Sequence, residues 1–120
     1  MTSQGSAHGR LVRALDGGNP LLALAAAAEL PHVALPEALG LVATLAGHDP
    51  ERYPRAAARW AGRFALEERG VRIAEVQLVV AALVALGDRP AAAAAAAALE
   101  RVLDRHERGE LAEALRRWAR

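Results

Sequence analysis

Arg52, Arg55, Arg59 and Arg63 recur every three or four residues, and Tyr53, Trp60 and Phe64 interleave with them. On a helix turning about 100° per residue, each set forms a stripe that holds its position for three turns. A guanidinium stripe can grip phosphates or carboxylates. A neighbouring Tyr53 or Trp60 ring could stack on a nucleic-acid base, and Arg13, Arg69 and Arg72 could extend the patch. Against a nucleic-acid partner, the flanks carry Glu51, Glu67 and Glu68, and the formal net charge of the chain is only +1. A helix-turn-helix arrangement would use the helix after Arg72 for recognition, and that helix has almost no polar face to offer. The expected arrangement is therefore an aromatic row packed inward, with the arginines along its solvent edge where an acidic partner could meet them. Nucleic-acid binding is the disfavoured alternative.

Other reactive groups are few. Ser3 and Ser6 lie in the polar start of the chain, and Thr44 sits in an alanine-rich segment. His8, His32, His48 and His106 are scattered, with no serine or cysteine at a suggestive spacing for covalent catalysis. Their spacing does not suit a zinc site, and the chain has no cysteine. No catalytic set, metal or cofactor is expected, and the chain reads as a non-enzyme. Trp118 stands apart: a large apolar ring so near the chain end must dock back or meet a partner.

The elements that would position these residues are marked by two alternating helix-opening signatures. Asn19-Pro20, Asp49-Pro50 and Asp88-Arg89-Pro90 each precede an alanine-rich segment, with the acid or amide as cap and proline at or near the first helical position. LPEAL, IAEVQ and LAEAL follow in turn, with Glu37, Glu75 and Glu113 in matching places. Main helices are expected over 21–30, 36–47, 54–69, 72–86 and 90–108, with short terminal helices at 8–15 and 110–118. Pro54 either kinks a helix opened at Pro50 or marks its true beginning. The fold class is all-α, with about five to six helices as an antiparallel bundle or as three tandem helical hairpins. Residues 33–70 and 71–109 overlay at Val33/Val71, Glu37/Glu75, Leu45/Leu83 and Pro50/Pro90, a period within the range of helical solenoids. Residues 1–6 are expected to be disordered, and 7–120 to form a single all-helical domain.

Two surfaces stand out. The helix from Arg72 carries apolar side chains around nearly its whole circumference and is expected to be central. The alanine run 91–98 is smooth and small enough for that helix or a symmetry mate to come close. Alanine favours helix but buries little area per residue, so an oligomer or a protein partner is expected to add to stability. All 15 basic residues are arginine. The start lacks the order of a signal peptide, and the most apolar stretch, 76–86 with one polar residue, is too short to span a bilayer. No membrane association and a cytoplasmic location are expected.

NPLLALAAAAELPHVALPEAL, followed by RYPRAAARWAGRFALE, resembles small uncharacterised helical proteins of GC-rich actinobacteria over about residues 19–86. The resemblance implies a bacterial cytoplasmic origin and attaches no activity. The W…LG…Y order of tetratricopeptide repeats is absent, so peptide-tail binding does not carry over. The functional expectation is a non-catalytic protein-binding or self-associating helical module, with Arg52, Arg55, Arg59, Arg63, Tyr53, Trp60 and Trp118 as its candidate contacts. The alternatives are a nucleic-acid-binding regulator using the arginine face, and a small-molecule-sensing domain with an apolar pocket between helices.

Overall fold

Proline, asparagine and glycine divide the chain close to where their chemistry requires. In a computed structural model that describes residues 3–106 and 109–119, seven α-helices follow one another as an antiparallel bundle. They are α1 (Ser3–Asp16), α2 (Pro20–Ala28), α3 (Leu35–His48), α4 (Tyr53–Glu67), α5 (Ile73–Leu86), α6 (Ala92–Leu103) and α7 (Glu110–Trp118). A 3₁₀ turn, Arg89–Ala91, leads into α6, and no strand occurs among the described residues. The helix count exceeds the expected five to six because both short terminal segments are full elements. α1 opens at Ser3, five residues before His8, so part of the segment expected to be disordered has helical backbone; residues 1–2 lie outside the described residues.

Asn19 caps α2 as expected, its Oδ1 accepting the Leu22 N–H at 3.1 Å, with Pro20 at the start of the helix. Asp49 does not open the next helix. Its backbone closes α3, and its carboxylate accepts from both the backbone and the side chain of Arg52. α4 starts at Tyr53, so Pro54 lies in the first turn, where its missing N–H has no helical partner to lose. Asp88 stands at the N-cap position of the 3₁₀ turn without a side-chain capping bond, and α6 starts at Ala92, two residues after the expected Pro90. α6 then ends at Leu103, short of the expected 108, and residues 107–108 lie outside the described residues. Gly70, at φ 71°, turns the chain in the middle of the α4–α5 connection in a conformation that side chains with a Cβ rarely adopt.

The capping signatures suggest hairpins α2/α3, α4/α5 and α6/α7, but the tightest packing crosses those boundaries. The closest pairs are α1/α2, α3/α7 and α5/α6. α7 returns to α3, so the chain closes into a bundle and does not extend as a solenoid. The main core gathers Leu39, Leu45, Trp60, Phe64, Val79, Leu99, Leu103 and Leu111. A second cluster joins Leu11, Leu15, Ala23 and Trp118 at the meeting of α1, α2 and α7.

Trp118 docks back onto its own chain. Its ring lies against Gly40 of α3, where a Cβ would collide with the indole. Its Nε1 donates to Asp16 Oδ1 at 2.9 Å, and Arg117 donates to both Asp16 oxygens at 2.8 Å. The Arg117 guanidinium also lies 5.1 Å from the centre of the Trp118 ring. Asp16 thus ties the end of α1 to the end of α7, and hydrogen bonds to an ionised acceptor are among the stronger ones available.

α5 is placed differently from expectation. Its apolar circumference predicts a central helix, yet Ile73 is 82% exposed and Val84 72% exposed, with Leu78 and Val80 also open. Only Glu75, Val79, Ala82, Leu83 and Leu86 are buried. α5 lies between α4 and α6, and no element covers its outer side. Gln77 reaches the exposed edge and needs no internal partner. The alanine run behaves as expected towards α5: Ala95 is buried, and Ala92 and Ala96 pack against the core.

Glu75 shows how the start of α5 is set. Its Oε1 accepts the Arg72 N–H at 3.1 Å, and His106 Nε2 lies 3.2 Å from its Oε2, at an angle that gives no hydrogen bond. The Arg72 N–H holds the Glu75 carboxyl below its ordinary range, helped by His106 and Arg105 and opposed by burial. A carboxylate depressed in the folded state stabilises the fold above its unfolded value, and this stabilisation disappears as pH falls through the folded one. Asp49 and Glu67 are held down in the same way, chiefly by hydrogen bonds from Arg52 and Arg63. Glu75→Gln should therefore reduce stability at neutral pH and flatten its decline below the usual carboxylate range, read from melting temperatures across the acid limb. An unchanged acid slope would remove Glu75 from this role.

Candidate functional site

α4 is amphipathic enough to serve two surfaces at once. Its buried row is Tyr53, Ala57, Trp60, Ala61 and Phe64. The aromatic residues of the expected contact set pack inward. The Tyr53 hydroxyl donates to the Leu83 carbonyl, and burial pushes its phenol up to about 12. Trp60 Nε1 donates to the Leu35 carbonyl at 3.0 Å, and its ring stacks on Phe64 with centroids 5.4 Å apart. Both rings are core, and neither presents a free face outward. Trp118 belongs to the second cluster, at the meeting of α1, α2 and α7.

The arginines remain on the solvent edge but are not equivalent. Arg52 is held by Asp49. Arg63 pairs with Glu67, Nε to Oε2 at 2.6 Å, and donates to the Val33 carbonyl at 2.8 Å. That last bond fixes Arg63 to the loop between α2 and α3. Arg55 and Arg59 are exposed and have no hydrogen-bond or ion-pair partner among the described residues. They stand four residues apart and so share one face.

On the arginine side of α4 lies an apolar cleft of about 370 Å³. Its floor is Ala38, Leu41, Val42 and Leu45 of α3, at spacing i, i+3, i+4 and i+7. Its walls are Leu24, Ala27 and Ala28 of α2 on one side, and Ala56, Arg59, Trp60 and Arg63 of α4 on the other. The lining contains no acidic side chain. α2 and α4 both pack on α3 but scarcely on each other, which is why the cleft exists. α2 carries no charge, and it leaves Leu21 68% exposed on the same face as Leu24 and Ala28.

On the other flank of α4, a second groove of about 470 Å³ runs between α4 and α5. Tyr53, Ala57, Ala61 and Leu83 line it, and Val80 and Val84 stand on its α5 wall. Ile73, Val80 and Val84 fall at i, i+7 and i+11, so they form one exposed stripe along α5. No charged residue occurs between Glu75 and Asp88.

The sequence pattern located the arginines but missed both grooves. The alternation on α4 shows one helix, while a groove is a relation between two. The signal that was available is the excess of apolar residues on α5 and α2 over what a single buried face can absorb.

No group of three or more histidine or acidic residues among the described residues is placed to hold a metal ion. No helix among the described residues is long and apolar enough to cross a membrane. No protein-family model, curated protein or solved structure matches the chain.

Proposed function

We propose that the chain is a non-catalytic protein-binding module that self-associates through α5 and the α4–α5 groove. The observation that carries this reading is the exposed stripe of Ile73, Val80 and Val84 beside an apolar groove. Each such side chain moved fully out of water contributes about 1.5–3 kcal/mol. Leaving three of them in one line on a helix whose only charge, Glu75, is turned inward is costly unless something covers them.

A second copy suits this surface because ridge and groove lie next to each other on one face. A two-fold axis can set the Val80/Val84 ridge of each protomer into the groove of the other, as a self-complementary contact requires. The stripe itself has no charge to select an unlike partner or to repel a like one, and Asp88 at the end of the groove is the one charged residue in its lining. Ala93, Ala94 and Ala97 of α6, the helix that packs on α5, are exposed and add no bulky side chain to that surface.

Sedimentation velocity should show a dimer at about 10 µM, the scale set by a free energy of roughly 7 kcal/mol. Val84→Asp, which places a carboxylate in the contact, should weaken the dimer at least about tenfold while leaving the helical circular dichroism intact. A wild-type monomer at about 100 µM, or a dimer indifferent to Val84→Asp, would remove this reading.

A further inference from the structure

We propose that the cleft between α2 and α4 receives an amphipathic helix of a partner protein, its apolar face on α3 and its acidic flank against Arg55 and Arg59. Along the floor Val42 and Leu45 are already buried in the core, while Ala38 and Leu41 stay half-exposed at i and i+3, a spacing that a packed helix contacts. The walls are two helices that share α3 but scarcely each other, so the cleft stays open along α3 between them.

Charge identifies the occupant. Both charged residues that line the cleft are arginines, and both lie on the α4 wall. Arg63 is already satisfied by Glu67 and the Val33 carbonyl, and it serves as a fixed part of the wall. Arg59, and Arg55 one turn before it, have no counter-ion among the described residues. The facing wall, Leu24, Ala27 and Ala28, is neutral. A helix seated here meets positive charge on one flank only, so it is recognised by carboxylates four residues apart along that flank and by neutral side chains along the other. An oligonucleotide fits less well, because Trp60 and Tyr53 offer no stacking face and the apolar floor has no counterpart in a phosphate backbone. The cleft lies on the opposite flank of α4 from the dimer groove, so this proposal does not depend on self-association.

The test uses the full chain and three fluorescent 16-residue helical peptides. They share one leucine face and carry Glu, Gln or Lys at two positions four residues apart on one flank. Two exposed ion pairs predict a preference for Glu over Gln of about three- to tenfold, with Lys weakest. The preference should shrink as salt rises from about 0.1 to 1 M, where the screening length falls from roughly 10 to 3 Å. Arg55→Gln with Arg59→Gln should abolish the Glu preference without weakening the Gln peptide. Ala28→Glu, an acid added to the exposed end of the neutral wall, should weaken the Glu peptide. Val84→Asp should change none of these results, which separates a failure here from a failure of the dimer. Equal binding of the Glu and Gln peptides, a preference that survives loss of both arginines, or no binding at about 100 µM would each overturn the proposal. So would tight binding of a DNA duplex lost on Arg59→Gln, which would assign the stripe to phosphates instead.

Discussion

Trp60→Ala lowers the stability of the chain by about 3–5 kcal/mol, a large share of what a domain of this size has to lose. Trp60 is 2% exposed, stacks on Phe64 and donates to the Leu35 carbonyl, so one side chain joins α4 to the start of α3. Few other large rings exist to refill the space, because the chain has one phenylalanine, one tyrosine and two tryptophans. Ala57 and Ala61, the buried alanines in its row of α4, are too short to fill the cavity. Trp60→Phe keeps the stacking surface and loses the hydrogen bond, so its effect should be smaller, about 1 kcal/mol for the bond plus the lost volume. Urea unfolding of the two variants measures both. A loss below about 1.5 kcal/mol for Trp60→Ala would mean that the α3–α4 contact is not built around this ring.

Gly40→Val should destabilise the chain by about 1–3 kcal/mol, although glycine inside a helix is itself unfavourable by up to about 1 kcal/mol. The reason is the Trp118 ring, which occupies the space where a Cβ at Gly40 would stand. Gly62 supplies the contrast. It also lies inside a helix, but a Cβ there meets nothing within 4 Å, so Gly62→Ala should stabilise by about 0.5–1 kcal/mol. Opposite signs for two helical glycines would show that packing overrides propensity at one site and not at the other. Adding Trp118→Ala should cancel most of the Gly40→Val penalty, since the collision needs both partners. Additive losses in the double variant would show that the ring does not sit there.

Much of the helical framework was legible because caps and breakers act locally. Asn19-Pro20 and Gly70 do what their chemistry implies wherever they occur. Asp49 and Asp88 were less certain guides, since an aspartate can close one helix or bind a nearby arginine as readily as it opens the next. The inward aromatic row on α4 was also legible, as periodicity reports which residues share a face. Whether the all-apolar α5 would be central was not legible. Periodicity cannot say how many neighbours a face will find, and the chain has only enough helices to cover one side of it.

The arginine stripe shows the same division. Its existence, spacing and place on one helix follow from residues 52–63 alone. That Arg52 and Arg63 are neutralised while Arg55 and Arg59 are not depends on Asp49, Glu67 and the Val33 carbonyl reaching the same edge. By itself the sequence determined an all-helical chain, its punctuation and the inward side of its most patterned helix, because these rest on contacts within a few residues. Only the tertiary structure decided that α7 returns to α3, that Trp118 is buried, that α5 is left open and that a cleft forms beside two arginines with no partner among the described residues. Those outcomes depend on which helices meet, and contacts between residues as distant as Asp16 and Trp118 leave no local periodicity to read.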